Sequence, residues 1–147
     1  MENFLSLDKQ LCFAVYETAS EFTKLYTAVL HPFGLTYPQY LVLLALWEKD
    51  GNTVKELGKR LNLGTGTLTP MITRMAEHDW LRKERSKTDE RKVHIYLQPK
   101  ALEKQREITQ KVTEEILSCH IELQEYEQLM QNLNQLHQKL TSRKNSS

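Results

Sequence analysis

The chain has few of the residues and motifs that mark metal centres, disulfide scaffolds and membrane proteins. Its 147 residues include two cysteines, Cys12 and Cys119, which form neither a CxxC pair nor a zinc-binding spacing. It has no run of 18 apolar residues, so the sequence predicts no membrane-spanning helix. No basic segment precedes an apolar stretch in residues 1–6, which predicts no signal peptide and a cytoplasmic location. Taken alone, each thiol is expected to be free and buried as a small hydrophobic side chain.

Motifs of common enzymes are also missing. The sequence contains no glycine-rich phosphate loop, no nucleophile elbow and no HExxH motif. We therefore expect neither an enzyme nor a cofactor. A thiol peroxidase is the rival interpretation from another class, but no His-paired cysteine motif supports turnover. Steady-state consumption of peroxide with a reductant would identify such an enzyme.

The net charge of +1 hides an uneven distribution of charge along the chain. Residues 53–96 hold ten Lys and Arg against six Asp and Glu, whereas the rest of the chain holds ten basic and thirteen acidic residues. A basic middle between acidic flanks suits a nucleic-acid-binding module carried on other helices, and it also suits any solvated surface.

The apolar pattern predicts a mainly α chain with a small β-hairpin wing, in the order of four helices, two short strands and two helices. The first helix is expected to begin near Asp8, its cap, because apolar residues then recur every three or four positions. Thr53 and Glu56 predict a capping box at the third helix. Alternation in residues 93–97 predicts a strand, which pairs with residues 80–85 in a hairpin with a basic tip.

The stretch from Thr53 to Arg91 has the order of a winged helix-turn-helix. A short capped helix, a tight turn at residues 62–64 and a second helix are followed directly by the hairpin. In such modules the second helix enters the major groove with its N-terminal residues leading. The residues predicted to contact DNA, on this helix and on the wing, are Thr65, Gly66, Thr67, Thr69, Arg74, Arg85, Asp89 and Arg91.

These residue types suit different parts of a DNA duplex. Glycine permits close backbone approach, and threonines can contact phosphates, base edges or thymine methyl groups. Arg74 lies farther along the helix and is expected at a phosphate, whereas Arg91 suits a narrow minor groove, with Asp89 orienting it through a charge-assisted hydrogen bond. A winged helix that binds only protein is a further rival, and Arg91→Ala would then leave nucleic-acid affinity unchanged.

The start of the second helix is left open by Pro70. If Thr67 is the cap, Pro70 falls in the first turn and no hydrogen bond is lost. If the helix starts earlier, one backbone hydrogen bond is missing and a slight kink is expected.

Three segments resemble the MarR-type winged-helix repressors, and the resemblance covers nearly the whole chain. They are Thr53-Val54-Lys55-Glu56-Leu57, Gly66-Thr67-Leu68-Thr69-Pro70-Met71 and Asp89-Glu90-Arg91. The resemblance implies one unit of residues 1–147, with a DNA-binding region at residues 37–98 and dimerisation helices at residues 6–32 and 99–141. It also implies a homodimer on palindromic double-stranded operator DNA, released by a ligand or an oxidant. A leucine stripe in the last helix fits a partner surface, although packing within one subunit would give the same pattern. Its members are Leu129, Leu133, Leu136 and Leu140.

The first forty residues bear a closer resemblance, to the organic-hydroperoxide repressors (OhrR) of that family. It is carried by Gln10-Leu11-Cys12-Phe13, Lys24-Leu25-Tyr26 and Leu35-Thr36-Tyr37-Pro38-Gln39-Tyr40. The resemblance implies that Cys12 senses organic hydroperoxide and that Tyr26 and Tyr37 donate hydrogen bonds to its thiolate. Hydroxyl donors favour the charged form of a thiol, which is the reactive one. If the helix starts at Asp8, the helix dipole contributes less to stabilising the thiolate, because Cys12 then lies beyond the first few residues.

The spacing of Cys12 and Tyr26 has a geometric consequence. They are separated by fourteen residues of one predicted helix, which corresponds to roughly 21 Å. Tyr26 therefore cannot reach Cys12 of its own subunit, and any such pair requires two first helices that run antiparallel across a dimer interface. Tyr16, four residues after Cys12, can contact it within one chain. The alternative is that Tyr16, Tyr26 and Tyr37 are only core or interface aromatics.

Cys119 continues a helical stripe of Ile108, Val112 and Ile116, so it is expected to be buried or to face an interface. The resemblance to two-cysteine peroxide repressors implies a resolving cysteine from the other subunit, and Cys119 lies in a compatible region. Oxidation of Cys12 to sulfenic acid would then be followed by condensation with Cys119 of the partner subunit or with a small thiol, and by loss of the operator. The alternative within the fold is a repressor released by a small aromatic acid bound between the dimerisation helices and the DNA-binding region, with no thiol sensing.

Overall fold

The order of helices and strands in the computed structural model, which describes residues 4–143, is the predicted one. The elements are α1 Leu11–Leu30, α2 Tyr37–Glu48, α3 Val54–Leu61, α4 Thr65–Glu77, β1 Leu81–Arg85, β2 Val93–Leu97, α5 Pro99–Ser118 and α6 Leu123–Ser142. Two short 3-10 turns cover Leu7–Lys9 and His31–Phe33. The mainly α fold with a helix-turn-helix and a β-hairpin wing is therefore confirmed. The ends of the predicted unit 1–147, residues 1–3 and 144–147, lie outside the described residues.

The chain divides into two compact units. Residues 1–111 contain the helix-turn-helix and the wing, and residues 112–147 contain the end of α5 and all of α6. Between residues 4 and 143, no single helix is long and apolar enough to cross a membrane. Leu11–Phe33 and Tyr37–Glu48 reach that length and composition only as a pair, which is bent by 76°.

Helix α1 begins later than predicted, at Leu11. The expectation that Asp8 caps it is wrong, because Asp8 lies inside the 3-10 turn Leu7–Lys9 and Gln10 is the extended residue that flanks the helix. Over only three residues, a 3-10 turn and an α-helix have too similar a spacing of apolar residues for the sequence to distinguish them. Cys12 is consequently the second residue of α1, inside its first turn, where the helix dipole favours negative charge.

Helix α2 is the centre of the core in the first unit. Its buried side chains are Tyr40, Val42, Leu43, Ala45 and Leu46, and a large aliphatic side chain buried in this way stabilises the fold by about 1.5–3 kcal/mol. Thr36 and Gln39 form a reciprocal capping box at its start. Near its end, the Trp47 indole donates to the Ala101 carbonyl at 3.2 Å, which ties α2 to α5.

The loop between α2 and α3 anchors the base of the wing. The Gly51 N–H donates to the Ile95 carbonyl at 3.0 Å, and the Ile95 N–H donates to the Asn52 carbonyl at 2.8 Å. The Leu97 N–H donates to Asp50 Oδ1 at 2.9 Å. Gly51 has a φ of +78°, which glycine adopts without steric strain, and a Cβ there would lie 3.0 Å from the Tyr96 ring.

The first helix of the helix-turn-helix is capped as predicted, but its capping box is incomplete. Thr53 Oγ1 accepts the Glu56 N–H at 3.1 Å. The Glu56 carboxylate does not return the bond: it lies 4.0 Å from the Lys49 ammonium, so the predicted reciprocal half is wrong. The following turn is close-packed, because a Cβ on Gly58 would stand 2.8 Å from the Leu63 carbonyl oxygen.

The wing is an antiparallel hairpin with a fixed register. Leu81 pairs with Leu97 and Arg85 pairs with Val93. Leu81 and Ile95 are buried and join the core through one face, whereas Arg82 to Arg85 are exposed. The hairpin therefore extends from the core at its Leu81 end and places its charged loop, residues 86–92, in solvent.

Candidate nucleic-acid interface and thiol sites

Helix α4 presents its predicted DNA-contacting residues to solvent. It begins at Thr65 after Gly64, and Thr65, Gly66, Thr67 and Thr69 are all exposed. The opposite face carries Leu68, Ile72 and Met75, which are buried in the core. The period of the helix thus separates a threonine-rich outer face from an apolar inner one.

Pro70 lies inside α4, which settles the start of the helix in favour of the earlier residue. Thr67 is the third helical residue and not the cap, since its N–H donates to the Gly64 carbonyl at 3.1 Å. A residue at position 70 would normally donate to the Gly66 carbonyl, and proline has no N–H to do so. The helix therefore lacks one hydrogen bond at its exposed N-terminal half.

A groove of ≈ 890 Å³, called here the wing groove, lies between the starts of α3 and α4 and the hairpin. Of the predicted DNA-contacting residues, the structure brings five together in it: Thr65, Thr69, Arg85, Asp89 and Arg91. Gly66, Thr67 and Arg74 are exposed but lie outside its lining. Three lysines that the sequence analysis missed also line it, namely Lys55, Lys83 and Lys92. Five basic side chains thus line the wing groove against two acidic ones, Glu56 and Asp89, and an excess of positive charge favours binding to a phosphate backbone.

The tip of the wing is held by its own hydrogen bonds. Asp89 Oδ1 accepts the Arg91 backbone N–H at 3.1 Å, while the Arg91 guanidinium is an exposed ion pair with Asp89 at 3.8 Å. Asp89 thus orients the Arg91 main chain, and the direct hydrogen bond to its guanidinium that we predicted is replaced by this longer contact. Arg85 donates to the Glu90 carbonyl at 2.7 Å, and Ser86 Oγ accepts the Asp89 N–H at 3.3 Å.

Arg82 faces other partners within the hairpin. Its guanidinium donates to the Glu84 carboxylate at 2.6 Å and lies 4.5 Å from the centre of the Tyr96 ring. The hydrogen bond and the positive charge of Arg82 hold the pKa of Glu84 below its usual value. Arg82 therefore stabilises the hairpin itself.

Both cysteines are free thiols and both are exposed, so neither is buried within the chain. The alternative given for Cys119, that it faces an interface, stays a prediction. Cys12 projects from the first turn of α1. Tyr16, one turn later, has 71% of its surface exposed, and within residues 4–143 no hydrogen bond joins it to Cys12. Cys119 lies one residue beyond the end of α5, and its thiol donates to the Glu115 carbonyl at 3.5 Å.

Two of the predicted thiolate partners form one aromatic cluster. Tyr26 stacks on Tyr37 with ring centres 4.7 Å apart, and on Tyr40 with ring centres 5.7 Å apart. Cys12 and Tyr26 lie on the same continuous helix, Leu11–Leu30, which keeps them roughly 21 Å apart. Within one chain, the Tyr26–Tyr37 pair is therefore at the opposite end of α1 from Cys12.

A helix-turn-helix followed by a basic wing, with both elements lining one groove, defines the winged-helix class. The SarA/Rot family of transcriptional regulators matches residues 24–112. The chain belongs to this family, and the resemblance to the MarR-type regulators and their organic-hydroperoxide branch is confirmed.

Individual relatives agree with this assignment. The chain is 47% identical over 100 residues to the organic hydroperoxide resistance transcriptional regulator of Bacillus subtilis, covering 66% of this chain and 68% of that protein. It is 53% identical over 95 residues to the HTH-type transcriptional regulator TtmR of Methylorubrum extorquens, covering 65% of this chain. The matched region spans only about half of TtmR, 49% of its length.

Solved structures of AbfR, a protein of Staphylococcus epidermidis, have the same fold. Reduced AbfR bound to DNA superimposes with a TM-score of 0.83 at 34% identity, over 92% of this chain and 93% of that one. AbfR with its disulfide formed gives a TM-score of 0.69 at 33% identity, over 96% and 94% of the two chains.

Proposed function

We propose that this chain is a dimeric transcriptional repressor that binds double-stranded operator DNA. The observation that carries the proposal is the wing groove, where Thr65 and Thr69 of the recognition helix face Arg85 and Arg91 of the wing. With α4 in the major groove, Arg91 reaches the adjacent minor groove, whose negative potential favours a guanidinium. A regulator of transcription acts where the chromosome is, so the cytoplasmic location is part of the proposal.

The homodimer is supported by apolar side chains that the single chain leaves in solvent. On α1 these include Leu11, Val15 and Phe22, and on α6 Leu129 and Leu133, each between 38% and 64% exposed. Two stripes of this kind at opposite ends of the sequence suit an interface built from the terminal helices. A two-fold dimer then presents two recognition helices to the two halves of a palindromic operator.

We propose further that Cys12 is the sensor of organic hydroperoxide. Its thiolate attacks the terminal oxygen of ROOH: the O–O bond breaks, the sulfur becomes a sulfenic acid after proton transfer, and ROH leaves. The exposed position of Cys12 in the first turn of α1 gives peroxide access to its sulfur. The partner's Tyr26 and Tyr37 would supply hydroxyl donors across an antiparallel α1 pair.

Cys119 of the partner subunit is the proposed resolving thiol. It attacks the Cys12 sulfenic sulfur, the S–S bond forms and water leaves. The exposed position of Cys119 just after α5 is compatible with such an attack. A small cytoplasmic thiol performs the same step if Cys119 is not used. The new bond shifts the terminal helices and changes the separation of the two recognition helices. That separation then no longer matches the spacing of the two operator half-sites, and the protein releases the DNA.

The test uses a duplex selected by the wild-type protein from a randomised library. Reduced protein is treated with one equivalent of cumene hydroperoxide, then divided between non-reducing electrophoresis and a DNA-shift assay. Loss of DNA binding together with a dimer band that dithiothreitol removes is expected, and Cys119→Ser should abolish the band. Loss of DNA binding without a dimer band would indicate that a small thiol, and not Cys119, forms the disulfide with Cys12. A Cys12→Ser protein that still releases DNA would refute the thiol mechanism.

A second candidate for the releasing signal, a small aromatic acid, is favoured by a separate cleft. This cleft of ≈ 390 Å³ is lined by two aromatic, three basic and one acidic side chain among others, namely Phe33, Trp80, Lys100, Lys104, Lys111 and Glu107. The Lys100 ammonium already lies 4.5 Å from the Trp80 ring centre, and Lys104 pairs with Glu107 at 3.6 Å. An acid must displace these contacts to bind. Release of DNA by salicylate, with no response to hydroperoxide, would select this candidate.

A further inference from the structure

Lys83 lies where strand β1, helix α4 and the wing groove meet. Its ammonium donates a hydrogen bond to Thr73 Oγ1 at 2.7 Å, and Thr73 Oγ1 donates in turn to the Thr69 carbonyl at 3.0 Å. Lys83 and Thr69 both line the wing groove. Two successive hydrogen bonds therefore connect the wing to the DNA-facing turn of the recognition helix.

This contact differs in kind from the other basic contacts of the hairpin. Arg82 binds Glu84, Arg85 binds the Glu90 carbonyl, and Arg91 faces Asp89, so each of these bonds begins and ends within the hairpin. The Lys83 bond leaves the hairpin and ends on α4. It thus acts on the separation between the two DNA-reading elements and not on the shape of the wing.

The ammonium of Lys83 also retains donors for a ligand. A lysine carries three N–H donors, and Thr73 accepts one of them. Lys83 is exposed at the lining of the wing groove, so the other two are available to an acceptor there. With α4 in the major groove and the wing in the next minor groove, the acceptor that lies between them is a backbone phosphate.

We propose that Lys83 is a positioning residue for DNA binding: through Thr73 it fixes the separation of the wing from the recognition helix, and it binds the phosphate that lies between their two grooves. The inference rests on the proposed DNA-binding function. As a consequence, α4 and the wing bind the duplex as one rigid unit, because Lys83 both connects them and contacts the DNA backbone.

The test compares three single variants on the selected duplex. Thr73→Val keeps the shape of the side chain and removes the hydroxyl, Thr73→Ser keeps the hydroxyl, and Lys83→Met keeps the length of the side chain and removes the charge. Thr73→Val is expected to weaken binding about five-fold, ~1 kcal/mol, and Thr73→Ser to bind as the wild type does. Thermal melting of each variant establishes that it is folded.

Salt dependence separates positioning from phosphate contact. Thr73→Val removes no charge, so the slope of log affinity against log salt should stay at the wild-type value. Lys83→Met should reduce the magnitude of that slope by about 0.9, as the loss of one phosphate contact does. The double variant should bind no more weakly than Lys83→Met, because the hydrogen bond is already absent there.

The inference would be overturned by wild-type affinity in Thr73→Val, or by effects of Thr73→Val and Lys83→Met that simply add. An equal loss in Thr73→Ser and Thr73→Val would also overturn it, since the hydroxyl would then be irrelevant. If the wild-type protein selects no duplex from the library, the proposed DNA-binding function fails and this inference falls with it. If the wild type binds and the variants behave in one of the contrary ways, only this inference fails.

Discussion

Replacing Arg91 with alanine should lower the affinity for DNA and leave the stability of the fold nearly unchanged. The Arg91 side chain is 95% exposed, and its ion pair with Asp89 is 3.8 Å long. An exposed pair of this kind contributes about 0–1 kcal/mol to folding, so the melting temperature of Arg91→Ala should differ little from that of the wild type. Affinity for the selected duplex should fall by about 1–3 kcal/mol, roughly 5- to 150-fold, because a guanidinium at the wing groove is lost.

Lys87 provides a matched control on the same loop. Lys87→Ala removes the same charge from the wing tip, but Lys87 lies outside the residues that line the wing groove. At 0.15 M salt, charge interactions are screened over about 8 Å, so this variant should bind within about three-fold of the wild type. Fluorescence anisotropy of the labelled duplex at this salt concentration measures both. Equal losses in the two variants would refute the reasoning, since net charge and not the groove would then determine affinity.

Three further predictions concern the scaffold that presents the groove. Thr53→Ala should lower the free energy of unfolding by about 1 kcal/mol through loss of the α3 cap, with Thr53→Ser close to the wild type, as urea denaturation would measure. Gly51→Ala should destabilise the fold by about 1 kcal/mol or more, because Gly51 has a φ of +78° and an added Cβ would lie 3.0 Å from the Tyr96 ring. Gly66→Ala should instead stabilise it by about 0.5–1 kcal/mol, because an added Cβ there would meet no atom within 4 Å. Glu84→Gln should be less stable than the wild type at neutral pH, and the difference should vanish in a pH series of melts as the pH falls through the lowered pKa of Glu84. A stability difference between Glu84→Gln and the wild type that increased as the pH fell would contradict the lowered pKa of Glu84.

The parts of the fold that sequence reasoning predicted are those with local causes. The order of helices and strands follows from apolar periodicity, and the cap of α3 follows from the hydroxyl of Thr53. The same local sequence patterns give a wrong prediction where a side chain has two possible partners. Thr36 and Gln39 form the reciprocal capping box that was assigned to Thr53 and Glu56, because Glu56 lies beside Lys49.

The parts that could not be predicted depend on tertiary geometry. Lys83 reads as one charge among several on a strand, and its bond to Thr73 exists only because β1 folds back along α4. Cys119 continues an apolar stripe in sequence, but α5 ends at Ser118 and His120 adopts a φ of +61°, so the stripe stops before the thiol. Pro70 allowed two helix starts, and the Thr67 N–H bond to the Gly64 carbonyl distinguishes them.

The hydrogen bonds of the wing tip also bear on how this loop can diverge among related proteins. Its path depends on the Ser86 hydroxyl, the Asp89 carboxylate and the Glu90 carbonyl, and the last of these is supplied by any residue. The side chains at positions 87 and 90 are therefore free to change without altering the course of the loop. Single substitutions at those two positions can therefore change the charge of the loop while keeping its path, whereas changes at Ser86 or Asp89 remove hydrogen bonds on which that path depends.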